Sequence, residues 1–206
     1  MQNIQIEQTI RDLYRDSKND HFRMIQGAAK SILRPLKPVD FKHAYLSISQ
    51  DQGADLAQLI VANDFKNIVE FGTSFGISTL FLAKGAKATG GSIITTELIN
   101  SKAEQAVKNF EQAGVNHLID VRVGDALQTL SNHSTAIDLL VLDGWKDLYL
   151  PIFQMLEPNY HPQTIVYVDN ADMAACRAFL DTVTKDAKYT LEYVHGGKAA
   201  IVTVNR

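Results

Sequence analysis

The feature that most constrains this chain is the alternation of short β-branched runs with longer amphipathic stretches from about residue 64 onward. Strands that alternate with helices in this way form right-handed β–α–β crossovers and a mostly parallel sheet. A nearly continuous apolar run such as 139–142 is typical of a strand that is covered on both faces. The predicted strands are 68–71, 92–96, 119–123, 137–142, 164–168, 189–194 and 199–204.

The last two predicted strands differ from the others because only His195-Gly196-Gly197-Lys198 separates them. So short a connection, rich in glycine, predicts an antiparallel hairpin. Two helices with one apolar face each are predicted around Ala103, Val107, Phe110 and Gly114, and around Met173, Cys176, Leu180 and Val183. We therefore predict a doubly wound, seven-stranded, mostly parallel α/β sheet that ends in an antiparallel hairpin.

The first 63 residues precede this alternation and have helical periodicity. A further helix is predicted over 52–62, after two prolines that interrupt helical structure. We expect one domain over 1–206, in which 1–63 form a helical lid or an oligomer surface and 64–206 form the α/β core. The positions that carry the N-terminal pattern are Ile6, Ile10 and Leu13, then Phe22, Ile25, Ala29 and Ile32, with Pro35 and Pro38 at its end.

Composition excludes several classes of protein. The net charge of −3 disfavours a nucleic-acid partner, and the single cysteine, Cys176, excludes an internal disulfide framework. The first residues have no basic start followed by an apolar stretch, and no run of about 18 apolar residues occurs. We therefore expect a cytoplasmic protein without a membrane segment, with Cys176 in the core.

The turn after the first strand reads Glu70-Phe71-Gly72-Thr73-Ser74-Phe75-Gly76-Ile77-Ser78. Gly72 and Gly76 allow a ligand to approach the backbone closely, and Ser78 with the amides of the following helix can hold a carboxylate. A tight strand–helix turn without a ligand remains the alternative. The spacing does not match the G-x-G-x-x-G fingerprint, which disfavours a nicotinamide-dependent dehydrogenase.

Acidic residues follow the other predicted strands. Glu97 ends the second strand about 20 residues after the glycine turn, where a carboxylate can accept both ribose hydroxyls. Asp125 and Ala126 follow the third strand, and Asp143 follows the fourth. Open α/β sheets bind ligands at the carboxyl ends of their strands, so these residues predict a nucleotide-like ligand.

These motifs resemble the metal-dependent O-methyltransferases related to catechol O-methyltransferase and the caffeoyl-CoA O-methyltransferases, over roughly residues 47–171. The resemblance lies in Glu70-x-Gly72-x-x-x-Gly76-x-Ser78, in Glu97, in the stretch from Asp143-Gly144-Trp145-Lys146 to Pro151, and in Val168-Asp169-Asn170. It implies a Rossmann-like class I fold that binds S-adenosylmethionine (SAM). It further implies that Trp145 packs against the adenine and that Ser78 contacts the methionine carboxylate.

Asp143, Asp169 and Asn170 form an oxygen-rich set at neighbouring strand ends. Three protein oxygens suit Mg²⁺ or Mn²⁺ and leave positions for a diol and water, whereas the scattered histidines disfavour zinc. By the resemblance, Lys146 takes the proton of the acceptor hydroxyl. The alternative is that Lys146 is a solvated surface lysine in the first turn of a helix.

The resulting expectation is methyl transfer from SAM to a hydroxyl of a small catechol-like or phenolic acceptor. Two alternatives remain open: methylation of a hydroxylated tRNA base, and a SAM-binding module without catalysis. The chain departs from the family where Asn159-Tyr160-His161-Pro162-Gln163-Thr164 replaces the usual Pro-Gly-Gly, and a second acceptor-binding acid has no match. The N-terminal helices could also form a homodimer surface.

Overall fold

The computed structural model of the chain describes residues 2–18, 20, 37–45 and 47–205. The helical pattern predicted at Phe22, Ile25, Ala29 and Ile32, with Pro35 after it, lies outside the described residues. Within them, no helix combines the length and the apolar character that crossing a membrane requires.

The seven predicted strands are present as β1 Asn67–Phe71, β2 Ser92–Glu97, β3 Ile119–Val123, β4 Ile137–Leu142, β5 Tyr160–Asp169, β6 Tyr189–Val194 and β7 Ala199–Val204. They form one sheet in the order β3-β2-β1-β4-β5-β7-β6. Strands β1 to β5 pair in parallel, and β7 pairs antiparallel with both β5 and β6. This confirms the predicted doubly wound sheet with its terminal hairpin.

Seven α-helices accompany the sheet in the described part of the chain. Helix α2 begins after Ser49, whose hydroxyl accepts a hydrogen bond from the backbone N–H of Gln52, while the Gln52 side chain accepts one from the Ser49 N–H. This reciprocal pair is a capping box, and it explains why the helix begins at this point. The helices are α1 Gln2–Ser17, α2 Gln50–Ala62, α3 Ile77–Thr89, α4 Asn100–Ala113, α5 Ala126–Thr129, α6 Tyr149–Leu156 and α7 Arg177–Lys185.

Two apolar cores lie on opposite faces of the sheet. Ile6, Ile10 and Leu13 of α1 are buried in the same core as Ile68 of β1, together with residues of α2, α3 and α4. The second core packs α5, α6 and α7 against the other face, with the ring of Phe153 at its centre. Helices on both faces explain why the central strands are apolar along their whole length.

Strand β5 is longer than predicted because polar side chains organise its beginning. Thr164 Oγ1 accepts a hydrogen bond from His161 N (2.8 Å) and lies 2.6 Å from the carbonyl of Ile137, to which it donates. The His161 ring lies 3.0 Å from Asp138 Oδ1. These contacts hold the beginning of β5 in the segment 159–164, where the chain lacks the Pro-Gly-Gly of the family that it resembles.

Two expectations about individual residues have different outcomes. Cys176 is fully buried, as predicted. The prediction that Met173 lies on the apolar helix face with Cys176, Leu180 and Val183 is wrong, because Met173 precedes the 3₁₀ turn Ala174–Cys176 and is 49% exposed. The backbone of Met173 is extended, with a φ of −75° and a ψ of 138°, so the helical periodicity does not extend back to it.

Asp138 provides a test of the polar contacts between β4 and its neighbours. Its Oδ2 accepts hydrogen bonds from the backbone N–H groups of Lys66 (2.7 Å) and Asn67 (2.8 Å). Partial burial raises the pKa of Asp138, but these bonds and His161 outweigh it, and the net pKa lies below its ordinary value. The charged form therefore stabilises the fold at neutral pH, and this stabilisation is lost as the pH falls through that lowered pKa.

We expect Asp138→Asn to lower the free energy of unfolding by about 1–3 kcal/mol at pH 7, because hydrogen bonds to a charged acceptor are lost. Urea denaturation at several pH values would measure the difference between variant and wild type. The difference should shrink in acid, and a difference that grows there would contradict the assignment. Asp181→Asn, at an exposed position on α7, is the control and should change stability by less than about 0.5 kcal/mol.

Candidate active site

The predicted site residues come together at one edge of the sheet, where the parallel strands end. The backbone N–H groups of Gly72 and Thr73 donate to the carbonyl of Thr96 at the end of β2. The N–H of Asp143, just after β4, donates to the carbonyl of Phe71 at the end of β1, at 2.9 Å. These bonds hold the turn after β1 between the ends of β2 and β4.

Gly72 is the tightest point of this arrangement. Its φ is +109°, and a Cβ at this position would lie 2.6 Å from the backbone oxygen of Asp143. A side chain cannot occupy that space unless the backbone moves. Glycine is therefore required here for the strand ends to meet, independently of any ligand.

Helix α3 begins directly after the turn. Gly76, with a φ of +88°, is its N-cap, and Ser78 lies in the first turn with only 5% of its surface exposed. The predicted place for a carboxylate is therefore the beginning of a 13-residue helix, whose first N–H groups lack intrahelical partners.

Glu70 is fully buried beneath this turn. Its Oε2 accepts hydrogen bonds from Thr79 (2.5 Å) and Thr95 (2.6 Å), whereas its Oε1 has no hydrogen-bond partner among the described residues. Burial raises the pKa of Glu70, and the hydroxyl groups of Ser78, Thr79 and Thr95 offset part of that rise. A buried carboxylate oxygen without a partner is costly, so this oxygen indicates a position for a hydrogen-bond donor.

Glu97 lies at the end of β2, as the sequence predicts. Its Oε2 accepts from Ser74 N and its Oε1 from Ile99 N, both at 2.8 Å. Each oxygen keeps a second lone pair, so the carboxylate can still accept two hydroxyl groups. Burial raises the pKa of Glu97, and the Ile99 N–H and the nearby Lys102 ammonium partly counter the rise.

Lys102 is a residue that the sequence reasoning missed. It is 4% exposed in the first turn of α4, and its Nζ donates to the carbonyl of Ala44 (2.8 Å) and to Ser74 Oγ (3.3 Å). The ammonium also lies 5.2 Å from the centroid of the Phe75 ring. Burial lowers the pKa of Lys102, and the Glu97 carboxylate opposes this. Its spacing of four from Ala106 puts it on the apolar face of α4, a signal that could have identified it.

Asp125 and Ala126 lie at the end of β3, beyond Glu97. Asp125 is exposed, and its Oδ1 accepts a hydrogen bond from Leu127 N at 2.9 Å, so it caps α5. Ala126 is buried. The backbone N–H of Gly124 donates to the carbonyl of Glu97, which places this turn next to the ribose-binding position predicted for Glu97.

Asp143 and Asp169 lie within hydrogen-bonding reach of each other, and Asn170 follows Asp169. Burial and the Asp169 carboxyl raise the pKa of Asp143 well above its ordinary value, and Lys146 partly counters the rise. Among the residues that the structure describes, no group of three or more His, Cys, Asp or Glu side chains could hold a metal ion. The predicted set contains only two such residues, with an amide as the third.

Lys146 and Trp145 follow Asp143. The Nζ of Lys146 donates to the carbonyl of Gly144 (2.9 Å), lies 3.8 Å from Asp143 Oδ1 and 5.1 Å from the centroid of the Tyr149 ring. Only 15% of the Lys146 side chain is exposed, unlike a solvated surface lysine. Trp145 is half-buried, and its Nε1 donates to Asp147 at 3.2 Å.

A narrow cleft of about 10 Å³ separates the glycine turn from Asp143. Tyr45 closes it from the N-terminal side: its ring lies 4.4 Å from the ring of Phe75, and its carbonyl accepts a hydrogen bond from Ser74 Oγ at 2.6 Å. Tyr14 of α1 donates to the carbonyl of Ile48 at 2.8 Å, which ties the same segment to α1.

We expect Gly72→Ala to lower the free energy of unfolding by about 3 kcal/mol or more, because the new methyl group adds a backbone clash to a strained φ. Gly90→Ala is the matched control. Gly90 also has a positive φ, of +72°, but nothing lies within 4 Å of its Cβ position, so its loss should be about 1 kcal/mol. Urea denaturation of both variants measures the difference, and equal losses would refute the close approach.

Comparison with known proteins identifies relatives of this chain. A catechol O-methyltransferase of Niastella koreensis is 32% identical over 129 residues, which are 61% of this chain and 58% of that protein. Caffeoyl-CoA O-methyltransferase 1 of Arabidopsis thaliana is 32% identical over 142 residues, 65% of this chain and 51% of its own. The chain thus matches little more than half the length of these relatives.

Solved structures share the fold. An O-methyltransferase of Bacillus cereus in complex with SAH has a TM-score of 0.70 at 22% identity and covers 88% of this chain and 97% of its own. TomG of Streptomyces achromogenes, in complex with SAM, has a TM-score of 0.70 at 23% identity and covers 89% and 96%. A sequence profile of the O-methyltransferase family matches residues 25–189, and the chain therefore belongs to that family.

Proposed function

We propose that this protein transfers a methyl group from SAM to a hydroxyl of a small catechol-like or phenolic acceptor, with Mg²⁺ or Mn²⁺ bound. The observation that carries the proposal is the meeting of two features at one sheet edge. One is the unpartnered Oε1 of Glu70 beside the glycine turn. The other is the buried Asp143–Asp169 pair with Lys146 next to it.

The polar groups around the turn fit SAM. Glu70 Oε1 would accept from the α-ammonium group of the methionine moiety, and Ser78 with the α3 N-terminus would hold its carboxylate. Glu97 would accept hydrogen bonds from the two ribose hydroxyls. The backbone around Gly72 and Gly76 would lie against the cofactor. Asp125 and Ala126 would lie beside the adenine, with Trp145 packed on its face.

The cleft of about 10 Å³ is smaller than the roughly 300–1,000 Å³ that small-molecule sites enclose, so SAM binding would widen it. Tyr45 lines this cleft, and hydrogen bonds hold its segment: Lys102 Nζ donates to the Ala44 carbonyl, Ser74 Oγ donates to the Tyr45 carbonyl, and Tyr45 N donates to Asp20.

The acidic pair fits a hard divalent cation. Two carboxylates that are buried at close range require a cation or a shared proton between them, and Asn170 adds a neutral oxygen donor. When bound, the cation would lower the pKa of the acceptor hydroxyl and hold its oxygen. An acceptor with two adjacent oxygens suits such a site, and two relatives are named for catechol and for caffeoyl-CoA.

The residues of the chain would then align and deprotonate the acceptor. Lys146 would take the proton of the hydroxyl, and its Nζ is already held beside Asp143 by a hydrogen bond to the Gly144 carbonyl. The acceptor oxygen forms a bond to the methyl carbon while the carbon–sulfur bond breaks, so SAH leaves. Positioning of this kind supplies much of the acceleration of a bimolecular transfer.

We further propose that residues 1–63 and the α/β core form one domain. The buried residues Ile6, Ile10 and Leu13 of α1 share their core with Ile68 and Leu139 of the central strands. The N-terminal helix is therefore part of the same packing unit as the sheet.

We expect transfer of labelled methyl from SAM to 3,4-dihydroxybenzoate or a caffeoyl acceptor when Mg²⁺ is present, and loss of transfer with excess chelator. Asp143→Asn and Lys146→Met should each lower the rate at least about 100-fold, since each removes a group that binds or deprotonates the acceptor. Lys185→Met, at an exposed position on α7, is the control. Transfer that persists in chelator would contradict the metal, and transfer to tRNA instead would contradict the acceptor class.

Glu70→Gln tests the cofactor site separately from the chemistry. The amide can still accept from Thr79 and Thr95 but no longer attracts an ammonium group, so SAM affinity should fall about 10- to 100-fold. Isothermal calorimetry measures the affinity, and Glu104→Gln on the exposed face of α4 is the matched control. Unchanged SAM binding by Glu70→Gln would refute the role of Oε1.

A further inference from the structure

Gln52 is a buried amide in the first turn of α2, and it contacts Asp169, whereas Lys146 lies beside Asp143. Gln52 is 6% exposed. Its side-chain Oε1 accepts a hydrogen bond from the backbone N–H of Ser49 at 3.0 Å, and the backbone N–H of Gln52 donates to Ser49 Oγ at 3.2 Å. The N-cap of α2 therefore fixes the oxygen end of the Gln52 amide.

The amide nitrogen faces the acidic pair. Gln52 Nε2 donates to Asp169 Oδ1 at 2.8 Å and to the Tyr167 hydroxyl at 3.1 Å. Exchanging the amide oxygen and nitrogen would set a donor against Ser49 N–H and an oxygen against a carboxylate. The orientation of the amide is therefore determined by its partners.

These contacts occupy one carboxylate oxygen of Asp169, whose carboxyl group also lies within hydrogen-bonding reach of Asp143. Oδ1 is held by Gln52, and the main-chain carbonyl of the same residue accepts from the Tyr149 hydroxyl at 3.2 Å. Strand β5 ends at this residue, so the carboxylate lies at the edge of the sheet where the parallel strands end. A neutral donor on Oδ1 orients Oδ2 without adding charge that would repel or compete for a cation.

We propose that Gln52 is a positioning residue that holds the Asp169 carboxylate for the divalent cation and thereby sets the affinity for that cation. This inference rests on the metal site of the proposed function. Partners that orient a metal ligand through a hydrogen bond commonly change metal affinity 10- to 100-fold when they are removed. Gln52 supplies that bond from α2, across 117 positions of the chain.

A purely structural role for Gln52 is the competing explanation, because its side chain also caps α2. Ser49→Ala separates the two. It removes the hydroxyl from the same capping box but leaves the Ser49 N–H and the Gln52–Asp169 bond in place. A capping effect would therefore be seen in both variants, whereas a positioning effect would be seen only at Gln52.

The experiment measures Mn²⁺ binding by electron paramagnetic resonance for wild type, Gln52→Met, Gln52→Leu and Ser49→Ala. Gln58→Met, at an exposed position of the same helix, is the matched control. We expect the two Gln52 variants to bind Mn²⁺ 10- to 100-fold more weakly, with SAM affinity changed less than about twofold. Ser49→Ala and Gln58→Met should bind Mn²⁺ like wild type. Methyl transfer by Gln52→Met should approach the wild-type rate once Mn²⁺ is saturating, with a raised half-saturating concentration.

Each other result has a defined meaning. If a folded Gln52 variant binds Mn²⁺ as wild type does, or if Ser49→Ala weakens binding equally, the positioning role is overturned while the proposed function stands. If wild type itself binds no Mn²⁺, the metal part of the proposed function fails, and the inference fails with it. Thermal unfolding identifies which variants are folded. Because Gln52→Met and Gln52→Leu both remove the amide, the test can be read from whichever of the two folds.

Discussion

The close approach of Gly72 to the backbone of Asp143 is the constraint on which the rest of the site depends. A Cβ on Gly72 would meet the backbone oxygen of Asp143, and a Cβ on Gly144 would meet the Phe71 ring at 2.4 Å. Two glycines on adjacent strand ends thus allow the turn after β1 to lie directly against the segment after β4. Without that contact the residues around the turn and the acidic pair would belong to separate sites. The hydrogen bond from Asp143 N to the Phe71 carbonyl then fixes their spacing.

That spacing concentrates buried acidic groups at one edge of the sheet. Burial raises the pKa values of Glu70, Glu97 and Asp143, and in Asp143 the neighbouring Asp169 adds to the effect. A fold gains no stability from such an arrangement, because each carboxylate loses its hydration. The two lysines nearby, Lys102 and Lys146, compensate for only part of the negative charge. An edge of this kind is suited to a ligand that brings positive charge, as the proposed SAM and divalent cation would.

The sequence predicts the parts of this arrangement that depend on strand order alone. Glu97, Asp143 and Asp169 each end or follow a strand, and the carboxyl ends of parallel strands meet at one edge, so their proximity follows from topology. Lys102 and Gln52 could not be placed in the same way. Both lie in first turns of helices, and their partners are a loop carbonyl and a carboxylate 117 positions away. Local periodicity identifies the face of a helix but not the polar group opposite it. Met173 shows the reverse case, in which a helical period that is correct for Leu180 and Val183 was extended back to a residue with an extended backbone.

The contacts of Lys102 and Gln52 also show how the N-terminal part of the chain takes part in the site. Lys102 donates to the carbonyl of Ala44, Tyr14 donates to that of Ile48, and Gln52 lies in the first turn of the helix that follows. The described residues before α2, 37–45 and 47–49, are therefore attached to the turn that would bind the cofactor, and the helix that follows them is attached to Asp169. This part of the chain thus contacts both halves of the proposed site, although it contributes no strand to the sheet that positions them.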